Sequence, residues 1–276
     1  MVTVTGHLDK MVTAIGPPVR YELPVDDSRV PLSENIGKPL KLEFLGEIHC
    51  RNCGRKTKKS YQQGYCFPCA KKLASCDICI VRPEKCHYHE GTCREPEWGE
   101  AHCMQPHIVY LANSSGLKVG ITRLPQVPTR WMDQGASQAL PILKVSSRYL
   151  SGLIEVTLAQ HVADKTNWQR LLKGEPEPLD LPAARDRLLA ECQPEIDALA
   201  ERFGEGSVEL LSDAAVIDLE YPVAHYPVKV KAHNFDKTPV VEGVLQGIKG
   251  QYLLLDSGVL NVRKFGSYKV AVMTEG

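Results

Sequence analysis

Ten cysteines stand in the 276 residues, and nine of them fall between Cys50 and Cys103. Clustering of this kind in a chain with no secretory signature points to metal rather than to disulfides. The most specific spacing is Cys50-x2-Cys53 followed by Cys66-x2-Cys69, two knuckles separated by twelve residues. Each knuckle turns two sulfurs toward one point, and two knuckles complete the closed four-sulfur tetrahedron that Zn2+ favours. Gly54 follows the first knuckle, where the backbone must turn sharply. Such a site leaves no position for a substrate, so its expected role is structural. A second metal site is expected just after it. Cys76-x2-Cys79 offers another knuckle, and Cys86, His87, His89, Cys93, His102 and Cys103 offer more ligands than one tetrahedron needs. Five cysteines for four positions leave one spare or a site that exchanges ligands. Thiolate sets suit both zinc and iron–sulfur centres; two structural Zn2+ ions are the expectation adopted. Cys192 lies alone in an amphipathic stretch and reads as a small core residue.

The elements that position these groups follow from pattern. Residues 1–49 contain short runs rich in β-branched and aromatic residues, Val2–Thr5 and Val19–Leu23, and the alternating run Pro39–Phe44, so an N-terminal β module is expected. Residues 50–105 form the zinc-binding segment, with little regular structure. Within residues 106–172, His107–Ala112 and Leu117–Ile121 flank Asn113-Ser114-Ser115-Gly116, a hairpin signature. Thr129–Gly135 predicts a short helix capped by Thr129, Leu140–Val145 a third strand, and Ser151 the start of a helix with Ile154, Leu158 and Val162 on one face. Residues 173–225 are expected to be helical, with Pro194 kinking or splitting the stretch 182–203. In residues 226–276 the runs Val240–Leu245, Tyr252–Leu255 and Gly258–Val262, broken by glycines, predict a small β-barrel. The fold class expected is therefore α+β and multidomain.

Lys and Arg balance Asp and Glu at 33 each. The zero net charge is unevenly spread, however. Residues 41–75 carry +6, 106–150 carry +4 and 226–276 carry +3, whereas 151–225 carry −9. Only local charge steers a ligand, so the basic segments are candidates for facing a polyanion such as DNA or RNA, and the acidic helices for facing a protein partner. No apolar run reaches the ~18 residues of a membrane helix, and a soluble, cytoplasmic protein without membrane contact is expected. Tyr61, Tyr65, Phe67 and Trp131 could stack on bases, but read first as packing residues.

The order Ile108-Val109-Tyr110, Lys118-Val119-Gly120, Arg130, Glu155 resembles the GIY-YIG nucleases over about a fifth of the chain. Val109-Tyr110 and Val119-Gly120 match the ends of the two signature tripeptides. Arg130 falls at the family's helix arginine and Glu155 at its metal-binding glutamate. Ile108 stands in place of the first glycine, Lys118 in place of the second tyrosine, and Gln134 where the family has a further His or Tyr. The resemblance implies a GIY-YIG-like α/β domain over 106–172, cleaving phosphodiester bonds with one divalent ion, Mg2+ or Mn2+, held by Glu155. Arg130 would clamp a phosphate oxygen, and Tyr110 would position or deprotonate water, helped by a cation such as Lys118 or Arg123. The whole chain also resembles a prokaryotic family of unknown function, through Gly91–Pro96, Lys118–Arg123, Arg130–Ala136 and Asp164–Trp168. The reading reached from sequence is a zinc-containing nucleic-acid-binding protein with an endonuclease site of GIY-YIG type. The alternatives are a nucleic-acid-binding protein without cleavage and a zinc-stabilised protein-interaction scaffold.

Overall fold

A computed structural model describes residues 2–162 and 167–275. Strands β1 (Val2–His7), β2 (Val12–Ala14), β3 (Arg20–Val25), β4 (Ser28–Pro31) and β5 (Pro39–Ile48) precede the first cysteine. The cysteine segment holds only helices α1 (Phe67–Lys72) and α2 (Pro96–His102), joined by 3-10 turns. Next come β6 (His107–Asn113), β7 (Leu117–Arg123), α3 (Thr129–Asp133), β8 (Gln138–Val145) and α4 (Arg148–Ala159). Helices α5 (Trp168–Leu171), α6 (Leu181–Glu191) and α7 (Gln193–Phe203) follow. The described chain ends with β9 (Val208–Leu210), β10 (Ile217–Asp218), β11 (Val240–Lys249), β12 (Tyr252–Leu255), β13 (Gly258–Asn261) and β14 (Tyr268–Thr274).

This is a mixed α/β architecture built on antiparallel sheets. The expected small barrel over 226–276 does not form. Strands β11 to β14 lie instead in an open six-stranded sheet of order β1-β14-β5-β11-β12-β13. Short strands broken by glycine announce tight hairpins, which open sheets and barrels share. What decides between them is pairing across the whole chain: Val2 lies opposite Thr274, and Val241 opposite Leu42. The strands expected at the two ends of the chain thus share one sheet, and local pattern carries no signal of that.

The hairpin β6–β7 forms in the expected register, with Tyr110 opposite Gly120. Strand β6 is central, between β7 and β8, while β9 and β10 from the acidic region both pair with β8. All seven residues of β6 are buried. Alternation explains how. Ile108, Tyr110 and Ala112 face one core, shared with Trp131, Met132 and the large sheet. Val109 and Leu111 face a second core, built with Leu150, Ile154 and Leu158 of α4 and Leu188 and Ile196 of α6 and α7. Cys192 belongs to this second core, as expected. Trp131 is fully buried, which removes it as a base platform.

Two helix starts differ from expectation, and the break at Pro194 falls as expected. The cap of α4 is Ser147, whose Oγ accepts from the Leu150 amide (3.3 Å); Ser151 lies inside the helix and donates to the Arg148 carbonyl (2.7 Å). Thr129 is the first residue of α3, not its cap, and Pro128 precedes it. Pro194 sits in the first turn of α7, so the stretch 182–203 is split, as a ring lacking an N–H requires. Of the string Asp164–Trp168, residues Asp164, Lys165 and Thr166 lie outside the described residues; Asn167 caps α5 by accepting from the Gln169 and Arg170 amides. No helix among the described residues is long and apolar enough to cross a membrane.

Candidate metal centre and candidate active site

The first knuckle pair closes as its spacing predicts. The sulfurs of Cys50, Cys53, Cys66 and Cys69 all lie within 4.8 Å of one another, and Cys53 and Cys66 Sγ are 3.8 Å apart. Four sulfurs ~2.3 Å from one ion would stand at about that separation. Burial raises the Cys50 thiol, but the backbone amides of Cys66, Cys53 and Asn52 outweigh it and hold its pKa at about 6. The Asn52 amide nitrogen donates to Cys69 Sγ (3.4 Å) and lowers its pKa, yet burial and the three neighbouring sulfurs push it up to about 12. Four thiols so close cannot all ionise without a cation among them. The donor set therefore fits a structural zinc ion.

The second cysteine region is arranged differently. Cys79, Cys86, Cys93 and Cys103 line one enclosed cavity with Tyr88 and Trp98. Cys76 is not among its walls; it lines a neighbouring depression with Tyr61 and Phe67. Burial, Asp77, Cys86 and Cys103 push the Cys79 thiol up to about 12. The tight group in this region is Asp77, Cys79 and His87. Its carboxylate is already engaged, however: Arg94 Nε lies 2.5 Å from Asp77, and the Cys79 amide donates to it (3.4 Å). His89 stacks on Tyr149, and His102 shares a hydrogen bond with the Trp98 carbonyl and stacks on its ring.

The four residues of the nuclease resemblance lie on β6, β7, α3 and α4. Tyr110 is fully buried on β6, and Gly120 opposite it is required by sterics: a Cβ there would stand 2.7 Å from the Tyr110 hydroxyl. Lys118 lies two residues before Gly120 on the edge strand β7, on the same sheet face and half-buried. Arg130 projects from α3. The Gln134 amide, turned the way its three neighbours require, donates to the Tyr110 hydroxyl (2.7 Å) and accepts from Arg130 Nε (3.2 Å) and Nη2 (3.1 Å). Burial pushes the Tyr110 pKa up to about 12 against the lowering effects of Arg130 and Gln134, and Glu155 pushes it further. Tyr110, Arg130 and Gln134 are thus in one relay, with the half-buried Glu155 in its field. Helix α4, which carries Glu155, packs on the other face of the sheet from Tyr110.

The relay is anchored from outside. Asp133 at the end of α3 accepts from Lys10 Nζ (2.7 Å) and from Gln251 Nε2 (2.9 Å), and Tyr221 donates to the Ala136 carbonyl (2.8 Å). The matching family model spans residues 37–270 and so takes in β5 and β11 to β13 of the large sheet, both cysteine regions and the relay. The chain belongs to DUF2797. The family is described as proteins of unknown function. No curated protein and no solved structure matches the chain. For this DUF2797 chain, sequence reasoning missed Arg148 and Arg263. Both are held among other charges, and Arg130 depresses the pKa of each, after burial as the main cause. Arg51, inside the first knuckle, acts on Arg263 in the same sense. Isolated arginines at 51, 130 and 263 have no shared spacing that a sequence could display.

Proposed function

We propose that the protein binds nucleic acid over the surface where Arg51, Arg130 and Arg263 share one field, and that Arg130 and Glu155 hydrolyse a phosphodiester there with a divalent ion. The observation that supports this most directly is the Tyr110–Gln134–Arg130 relay seated on Gly120 with Glu155 in its field. Three arginines from the zinc knuckle, α3 and the segment before β14 suit a phosphate backbone better than a small ligand. Arg130 would clamp a nonbridging oxygen, its direction fixed by Gln134. Tyr110, buried and neutral at physiological pH, orients that clamp rather than taking a proton. Glu155 offers the single carboxylate that a mostly hydrated Mg2+ or Mn2+ needs. Such an ion, when bound, supplies Lewis-acid stabilisation of the phosphoryl oxygens and the leaving group.

The buried Tyr110 hydroxyl favours one other reading, binding without cleavage, because no base for the attacking water then comes from β6. The test uses labelled single- and double-stranded DNA and RNA with Mg2+ or Mn2+. Binding that weakens steeply with salt is expected, with a slope reduced by about one for Arg263→Gln. Cleavage is expected to vanish in Glu155→Gln while binding persists. Binding without cleavage in the wild type selects the second reading. No binding at low salt discards both.

A further inference from the structure

We propose that Cys79, Cys86, Cys93 and Cys103 ligate an iron–sulfur cluster, distinct in kind from the zinc ion of the first knuckle. The inference does not depend on nucleic-acid binding or cleavage. It begins with the spacing of the sulfurs. A single zinc ion draws four sulfurs to ~2.3 Å from itself, and so within about 4 Å of one another. The first set meets that requirement. The second set does not form such a group among the described residues; its four cysteines line one cavity instead. A cluster is several atoms across and holds its cysteines farther apart than one ion can.

The chain agrees with this geometry. Six residues separate Cys79 from Cys86, six separate Cys86 from Cys93 and nine separate Cys93 from Cys103. None of these intervals is a knuckle, which would pull two sulfurs to one point. The one knuckle the region contains is divided, since Cys76 faces elsewhere. The cavity is also kept clear. Gly99 faces it, and a Cβ at that position would lie 3.3 Å from Cys93 Sγ and 3.0 Å from the Tyr88 ring. Asp77, a rival ligand, is engaged by Arg94; His87 Nδ1 pairs with Thr92 Oγ1 (2.7 Å), and its Nε2 lies 3.7 Å from Asp77.

Charge gives an independent sign that an anionic centre belongs here. Arg148 is half-buried at the start of α4. Its guanidinium donates to the carbonyls of Cys79 (3.4 Å) and Ile80 (2.6 Å), and its amide donates to the Cys103 carbonyl (2.8 Å). A cation partly withdrawn from water favours a counter-charge. Four thiolates around a metal centre carry net negative charge, and Arg148 is placed to meet it. This argument would serve zinc equally; the sulfur spacing selects the cluster.

The test uses the full chain, purified without oxygen from iron-replete cells and, separately, rebuilt from metal-free protein with zinc, ferrous iron and sulfide. About four iron, four acid-labile sulfide and one zinc per chain are expected, with a broad visible absorbance that dithionite bleaches. Cys86→Ser and Cys103→Ser should each lose most of the iron and sulfide while keeping the one zinc, which reports that the fold survives. Cys76→Ser should keep both metals in full. Two zinc ions with no iron or sulfide in both preparations would overturn the proposal, as would loss of the iron in Cys76→Ser. Iron retained at wild-type level in Cys86→Ser and Cys103→Ser would overturn the ligand assignment.

Discussion

The two cysteine regions lie next to each other in the chain, yet one is organised by sequence-local turns and the other by tertiary packing. In the first, a CxxC turn fixes each sulfur pair, and the Arg51 amide donates to the Gly64 carbonyl (2.8 Å) between the two knuckles, so the four sulfurs meet. In the second, Cys79 lies on a 3-10 turn, Cys86 just after another, Cys93 ahead of α2 and Cys103 just after it, and they are held by what these segments pack against. That neighbour is α4. Gly152 presents bare backbone to the turn Pro83–Lys85, and Arg148 binds the carbonyls of Cys79 and Ile80. The first region should therefore fail with its metal, and the second with its contact to α4.

The largest effect is expected from Cys50→Ser. A structural zinc site supplies folding free energy directly, of order 10 kcal/mol in small zinc domains. Loss of the first zinc with insoluble or broadly unfolding protein is expected, checked by elemental analysis and calorimetry. A soluble variant with wild-type melting would show that this region is not structural. Next comes Gly152→Ala, which leaves every cysteine in place. The added Cβ would lie 2.5 Å from the Glu84 amide nitrogen and from Pro83 Cβ, so backbone must move. A cost of about 1–3 kcal/mol is expected, with residues 77–103 becoming sensitive to protease while the first zinc stays bound. Unchanged urea unfolding would end the claim that α4 supports the second region.

A smaller effect is expected at the relay. Tyr110→Phe removes the hydroxyl that meets the Gln134 amide inside the core, at about 1 kcal/mol, read from denaturant unfolding. If Tyr110 orients Arg130, the same variant weakens nucleic-acid binding without changing its pH dependence. A pH-dependent effect is expected at His107, where the second region hands over to β6. Burial lowers its pKa to about 4, with the Gln105 carbonyl opposing and Arg148 and Arg123 adding to the fall. The unfolded chain takes up this proton near pH 6.5 and the folded chain does not. Stability therefore falls as pH drops from about 6.5 toward 4 and levels off below. A His107 ring resonance that does not titrate above pH 5 is expected by NMR; titration near 6.5 would contradict the burial argument.

The contrast between the regions also explains what was readable beforehand. The knuckles, the hairpin with Tyr110 facing Gly120, and the break at Pro194 rest on intervals of a few residues, and pattern states such intervals. The cluster of Arg51, Arg130 and Arg263, the anchoring of Asp133 by Lys10 and Gln251, and the open sheet in place of a barrel join residues far apart in the chain. No local rule encodes those. The identity of the spare cysteine belongs to the same class: Cys76 looks like half a knuckle, and only the packing of α2 and the turns turns it away from Cys79. Gln134 stands between the two cases. Its position one turn beyond Arg130 was legible, and its work of joining Arg130 to Tyr110 was not.

Strand β14 lies beside β5 in the large sheet, and β5 leads directly into the first knuckle. The His49 amide donates to the Ser267 carbonyl (3.2 Å), and Ser267 Oγ donates to the Gly64 carbonyl (3.1 Å) within the knuckle region. On the ribosome, all nine clustered cysteines emerge well before residue 268. Zinc capture can therefore come first and build the landing place for β14, so that the order of assembly runs from metal to sheet. Until β14 arrives, β5 keeps one bare edge, open to pairing with other chains. Metal starvation during synthesis would then be felt as aggregation of nascent protein, and zinc added after release would come too late to prevent it.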